Sequence, residues 1–90
     1  MSFGVEFTLE AIKDLERHKK SGDKTLLTKI NKLLDELEEH PEIGTGKPEK
    51  LKYQFSGKWS RRIDRKHRLV YSIDYENSTV EVLSAYGHYE

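Results

Sequence analysis

Residues 58–73 read Lys-Trp-Ser-Arg-Arg-Ile-Asp-Arg-Lys-His-Arg-Leu-Val-Tyr-Ser-Ile, and the period of this stretch decides the fold class. Trp59 and Ile63 alternate with Ser60 and Arg62, then Leu69, Tyr71 and Ile73 alternate with Arg68, Val70 and Ser72. A period of two belongs to a strand with one apolar face. The polar turn at 64–66 joins the two runs as a hairpin. A second polar turn at 75–78 leads into Val80, Val82 and Leu83, so an antiparallel meander is predicted.

Upstream of this stretch the period is helical. Leu26, Leu27, Ile30, Leu33, Leu34 and Leu37 form one apolar stripe, and His40-Pro41 ends it because a residue before proline avoids the helical region. Asp23 is the candidate cap of that helix, after a break at Ser21-Gly22. Thr8 is the candidate cap of an earlier helix carrying Leu9, Ile12 and Leu15. Phe3, Val5 and Phe7 alternate and predict a short first strand. Two helices followed by a meander give an α+β fold, the helices on one sheet face and the other face partly open.

Ninety residues suit one small domain spanning 1–90. The chain has no cysteine, which excludes a disulfide framework and a thiolate metal site. No apolar run reaches the ~18 residues of a membrane span, and the amino terminus lacks a signal-like pattern, so the expected location is cytoplasmic with no membrane partner.

The zero net charge conceals segregation. Residues 44–71 hold nine Lys and Arg against Glu49 and Asp64, a local balance of +7, while residues 72–90 hold four acidic groups and no base. A cationic middle fits a polyanion or an acidic protein partner, and equally a solvated basic face. A binding patch needs only cations. Acid and base groups set among them are what metal-free cleavage of a phosphodiester requires.

Glu49 follows Pro48 in an expected loop among Lys47, Lys50 and Lys52, cations that favour the ionised form a base requires; a solvated loop carboxylate is the alternative. Arg68 has the opposite parity to Leu69 and Tyr71 and points to the open face. Arg62 shares parity with Ser60 and Lys58 and is assigned to the same surface, whereas Arg61 is assigned to an edge or partner contact. His88 titrates near neutral pH if unperturbed, at ~6.5. His67, in or beside a turn, orients Arg68 or caps the hairpin. His18 and His40 read as structural or exposed. Trp59 reads as core, and Tyr86 as core or as a base-stacking ring. No metal site is expected: His67 and His88 lack ligand spacing and a third partner.

Four short blocks in order, Gly-Lys-Pro-Glu-Lys-Leu-Lys (46–52), Ser-Gly-Lys-Trp-Ser-Arg-Arg-Ile (56–63), His-Arg-Leu-Val-Tyr (67–71) and the closing His-Tyr (88–89), resemble the Txe/YoeB branch of the RelE superfamily. These are toxins of bacterial toxin–antitoxin pairs that cut mRNA on the ribosome. The resemblance implies attack of the RNA 2′-hydroxyl on the neighbouring phosphate, leaving a 2′,3′-cyclic phosphate and a 5′-hydroxyl. It implies Glu49 as general base, His88 as general acid, Arg68 as transition-state stabiliser and Tyr89 as a positioning tyrosine. Lys52 and Arg62 match supporting cations, with Lys47 and Lys50 as further RNA-binding candidates.

The implied partners are a cognate antitoxin, mRNA and the ribosomal A site, with a homodimer or a toxin–antitoxin hetero-oligomer as the assembly. No metal or cofactor is implied. The tail Ala85-Tyr86-Gly87-His88-Tyr89-Glu90 departs from the family pattern, in which a basic residue and a tyrosine often precede the closing His-Tyr: it loses a cation, places the freer Gly87 before His88 and adds Glu90. Two other functions are the alternatives: a non-catalytic nucleic-acid or co-repressor module, which would use the basic patch without needing Glu49, and a toxin of the same fold acting on a protein such as gyrase, which would lack the Glu–Arg–His set; the presence of all three argues against both.

Overall fold

The computed structural model describes residues 2–87. Strand β1 (Gly4–Phe7) leads into helix α1 (Leu9–Ser21) and helix α2 (Lys24–Glu39). The two-residue strand β2 (Glu49–Lys50) and a 3-10 turn at Tyr53–Phe55 follow, then β3 (Lys58–Arg62), β4 (Arg68–Asp74) and β5 (Thr79–Ser84). The sheet order is β1-β5-β4-β3-β2. The meander β3-β4-β5 is antiparallel as its turns require, and β1 lies parallel to β5, with Val5 opposite Val80.

The helix boundaries follow the local chemistry. Thr8 Oγ1 accepts the Ala11 N–H at 3.1 Å and donates to the Leu83 carbonyl at 3.0 Å, so a single hydroxyl caps α1 and ties it to β5. Gly22 ends α1 in the left-handed region at φ 73°, where a side chain is strained. Asp23 caps α2 by accepting the Leu26 N–H. The α2 stripe buries Ile30, Leu33 and Leu37 against the sheet, each contributing about 2 kcal/mol by removal from water.

Register sorts the sheet residues into two faces. The helix-covered face carries Trp59, Arg61, Leu69, Tyr71, Val80 and Val82, and the last four are fully buried. The open face carries Ser60, Arg62, Arg68, Ser72 and Glu81. No helix among the described residues is long and apolar enough to cross a membrane.

One expectation fails inside the core. Arg61, assigned from sequence to an edge or partner contact, is fully buried. Its Nη1 meets Glu36 Oε1 at 2.7 Å, its Nη2 donates to the carbonyls of His40 and Ile43 at 2.7 and 2.9 Å, and its Nε donates to Tyr71 Oη at 3.1 Å. The guanidinium fork satisfies the carbonyls left open where α2 ends, which no hydrophobic residue at that parity can do.

Candidate active site on the open sheet face

The basic segment reaches the sheet through Gly46. Its φ is 86°, its carbonyl accepts the Arg62 N–H at 2.7 Å, and a Cβ there would stand 2.8 Å from the Arg62 carbonyl oxygen. Only glycine permits this approach. Exposed Lys47 continues at φ 51°, and the chain then straightens into β2. Glu49 is therefore on a strand, a correction to the expected loop: it pairs with Ser60 on β3, and Leu51 N–H continues the ladder to the Lys58 carbonyl at 2.9 Å.

This register brings together three of the residues singled out from sequence. Glu49 stands opposite Ser60, and Ser60 opposite Val70; two residues along β3, Arg62 stands opposite Arg68. Glu49, Arg62 and Arg68 thus share the open face. Two inter-strand spacings and one two-residue step put the Cα atoms of Glu49 and Arg68 about 12 Å apart, within reach of a shared small group for two long side chains on one face. Lys52 and Glu49 line one cavity of ≈ 340 Å³ together with Tyr53 and Phe55. Lys50 also borders it, but its register with Trp59 turns its side chain toward the other face, with Nζ 6.0 Å from the Trp59 ring centre.

Arg68 is half-buried, and its Nε is buried with no hydrogen-bond partner among the described residues. A buried, unpaired guanidinium N–H is costly unless an anion completes it. Beside it a groove of ≈ 470 Å³ is lined by Phe55, Lys58, Val70, Ser84, Tyr86 and Gly87. The far end of the same face is acidic, where Glu6, Asp74 and Glu81 surround another cavity, so the cationic part of the face is its Arg62–Arg68 end.

The tail enters this site by its backbone. Arg68 N–H donates to the Gly87 carbonyl at 3.0 Å, and Gly87 N–H donates to His67 Nδ1 at 2.9 Å. His88 and Tyr89 lie outside the described residues. His67 caps the hairpin turn as expected: its carbonyl accepts the Ile63 N–H, and its N–H donates to Asp64 Oδ1 at 2.7 Å. Burial pushes the Asp64 carboxyl up, but the backbone N–H groups of Lys66 and His67 outweigh it and leave it below the usual carboxylate value. His18 proves structural, buried with Nε2 bonded to the Ala85 carbonyl at 2.7 Å.

Tyr86 is not in the core, the first of its two expected places. It is 40% exposed and lies over the His18 and His67 rings, with the Arg17 guanidinium 3.5 Å from its ring centre. Sequence reasoning passed over Arg17 and Phe55. Arg17 lies off the apolar positions Leu9, Ile12 and Leu15 of its helix, and an isolated aromatic between Gln54 and Ser56 gives no periodic signal.

Two helices on one side of a small sheet, with a carboxylate and guanidinium groups on the other, are the layout expected of a toxin of the RelE type. The comparisons with known proteins make this specific. Residues 7–89 match the model of the YoeB-like toxin of bacterial type II toxin-antitoxin system, and the chain belongs to that family. Toxin YoeB of Synechocystis sp. is 45% identical over 69 residues, covering 77% of this chain and 78% of that protein. A YoeB/ParE toxin from Agrobacterium tumefaciens superposes with TM-score 0.88 at 36% identity, covering 97% of this chain and all of the other. Staphylococcus aureus YoeB has been solved as a dimer, TM-score 0.80 at 36% identity, and as a heterotetrameric complex with YefM, TM-score 0.78 at 36% identity; each match covers 99% of this chain and 100% of that one.

Proposed function

We propose that this toxin is a ribosome-dependent endoribonuclease that cleaves mRNA through its own side chains. Glu49 takes the proton of the RNA 2′-hydroxyl, which attacks the adjacent phosphate. His88 protonates the departing 5′ oxygen, leaving a 2′,3′-cyclic phosphate and a 5′-hydroxyl. Arg68 and Arg62 hold the charge that develops on the phosphate. Lys52 and Lys47 contribute to holding the RNA, Lys50 being turned to the other face of the sheet, and Tyr89 positions it.

The observation that carries this reading is the meeting of Glu49 and Arg68 on the open face, where Arg68 Nε has no hydrogen-bond partner among the described residues. A purely binding surface has no use for a carboxylate at its cationic end. The tail supports it too, because Gly87, directly before His88 in sequence, is bonded to Arg68.

The solved complex of S. aureus YoeB with YefM supports an antitoxin as this chain's partner. We infer an acidic or amphipathic antitoxin segment that covers the cationic end. Expression in growing cells followed by primer extension on translated mRNA, with and without ribosomes, is the test. Glu49→Gln and His88→Ala are each expected to abolish cleavage and relieve growth arrest while keeping the parent's folded signature. If both variants stay as toxic as the parent, the catalytic assignment is wrong.

A further inference from the structure

We propose that His67 is a positioning residue for the proposed cleavage: its Nδ1 and the Arg68 backbone N–H clamp Gly87 from both sides and so fix the residue that directly precedes His88 in sequence. The inference deepens the nuclease reading and rests on it for its catalytic consequence; the clamp itself does not.

The geometry assigns the protons. A carbonyl can only accept, so the 2.7 Å bond to the Ala85 carbonyl requires His18 to carry its proton on Nε2. A backbone amide can only donate, so the 2.9 Å bond from Gly87 requires His67 Nδ1 to be bare. His18, at 4.7 Å between ring centres and 83° between planes, and Tyr86, at 4.3 Å, hold the His67 ring in this orientation. Asp14 Oδ2 accepts the Ala85 N–H at 2.9 Å, fixing the segment just before Gly87. The tail is thereby tied to α1 at Ala85 and to the β3–β4 turn at Gly87. Gly87 has φ 79°, which lets its N–H and carbonyl serve the two neighbours of one turn.

A proton on Nδ1 replaces this acceptor with a donor facing a donor, so the clamp exists above the His67 titration and is lost as pH falls through it. Among the described residues, the charged and titratable groups that share the cavity with the ring are Arg17 and His18 from α1, Asp23 at the start of α2, Asp64, Arg65 and Lys66 from the turn, and Tyr86 of the tail. Asp64 opposes Arg65 and Lys66 there. The cavity they border measures ≈ 510 Å³.

The experiment uses the full chain labelled with 15N, with His67→Phe, which keeps a ring against His18 and Tyr86 but offers no acceptor, and His67→Asn, whose Oδ1 stands near the place of Nδ1. In the parent, the Gly87 amide resonance is expected to shift with the same midpoint as the His67 ring. Gly87 amide exchange should quicken about tenfold in the Phe variant and stay near the parent's in the Asn variant. On programmed ribosomes, kcat should fall about 10- to 100-fold in the Phe variant, the scale of a misplaced catalytic group. KM should stay within about twofold, and the Asn variant should recover most of kcat.

A Gly87 amide indifferent both to His67 ionisation and to His67→Phe overturns the clamp. A parental kcat in a Phe variant whose Gly87 amide has been released overturns the positioning role. If the parent cuts no RNA, the nuclease reading fails while the Gly87 measurement still decides the clamp. Should the Phe variant not fold, the parent's pH titration and the Asn variant decide it.

Discussion

Replacing Arg61 by methionine keeps most of the side-chain stem and deletes the guanidinium. Left behind are the carbonyls of His40 and Ile43 and one side of the Glu36 carboxylate. Removing one partner of a buried ion pair costs about 3–5 kcal/mol. Glu36 keeps its bonds from the Thr45 amide and hydroxyl, both at 2.7 Å, and its side chain is 15% exposed, so solvent and Thr45 absorb part of the loss. The expected cost is therefore about 3–4 kcal/mol, against a total stability of about 5–13 kcal/mol for a chain this long. In a thermal melt the midpoint should fall by about 15–25 °C, and in urea it should move down by about 2 M. Arg61→Lys should recover little, because one ammonium cannot serve acceptors spread around a planar fork. Hydrogen exchange should locate the loosening at residues 40–46, the link between α2 and the strand bearing Glu49. A loss below about 1 kcal/mol would mean that these bonds do not close the end of α2, and the reasoning falls.

Gly46→Ala adds a methyl 2.8 Å from the Arg62 carbonyl oxygen at a φ of 86°; it should cost about 2 kcal/mol and reduce toxicity more than that loss of stability explains, checked by urea unfolding beside growth arrest. Acid should destabilise the fold. Burial raises the Glu36 carboxyl, but Thr45 and Arg61 outweigh it and the net shift is downward, as it is for Asp64. Carboxyls depressed in the folded state contribute stability above their unfolded values, near 4.5 for Glu36 and 3.8 for Asp64, and lose it as pH falls through the folded ones. Urea midpoints should thus decline below pH about 4.5, and Glu36→Gln should flatten the upper part of that decline. Tyr75 donates to Glu42 at 2.6 Å and its hydroxyl is pushed up to about 12. Its stabilisation is complete below the unfolded value of 10.0 and disappears as pH rises through about 12; a phenolate titration at 295 nm should show this late step, which Tyr75→Phe removes.

Alternation and helical spacing are local properties, and the elements that depend on them were legible. The α2 stripe, the caps Thr8 and Asp23, the meander and the side of the sheet taken by Arg62 and Arg68 all follow from side-chain direction along a regular backbone. The order of the four blocks was enough to indicate the family. What required the tertiary structure were contacts between segments far apart in the chain. Parity placed Arg61 on the apolar face but could not show that the open end of α2 would lie there, ready to accept a guanidinium. Only the parallel pairing of β1 with β5 carries α1 across to the tail, so that His18 meets Ala85. Glu49 reads as a loop residue because a two-residue strand has no period; its extended geometry comes from β3 alongside. Composition and spacing thus determined which groups face water and which face the core, because burial is decided residue by residue. Their partners were decided by the chain's closure on itself, because a hydrogen bond needs its donor and acceptor brought to within a few tenths of an ångström.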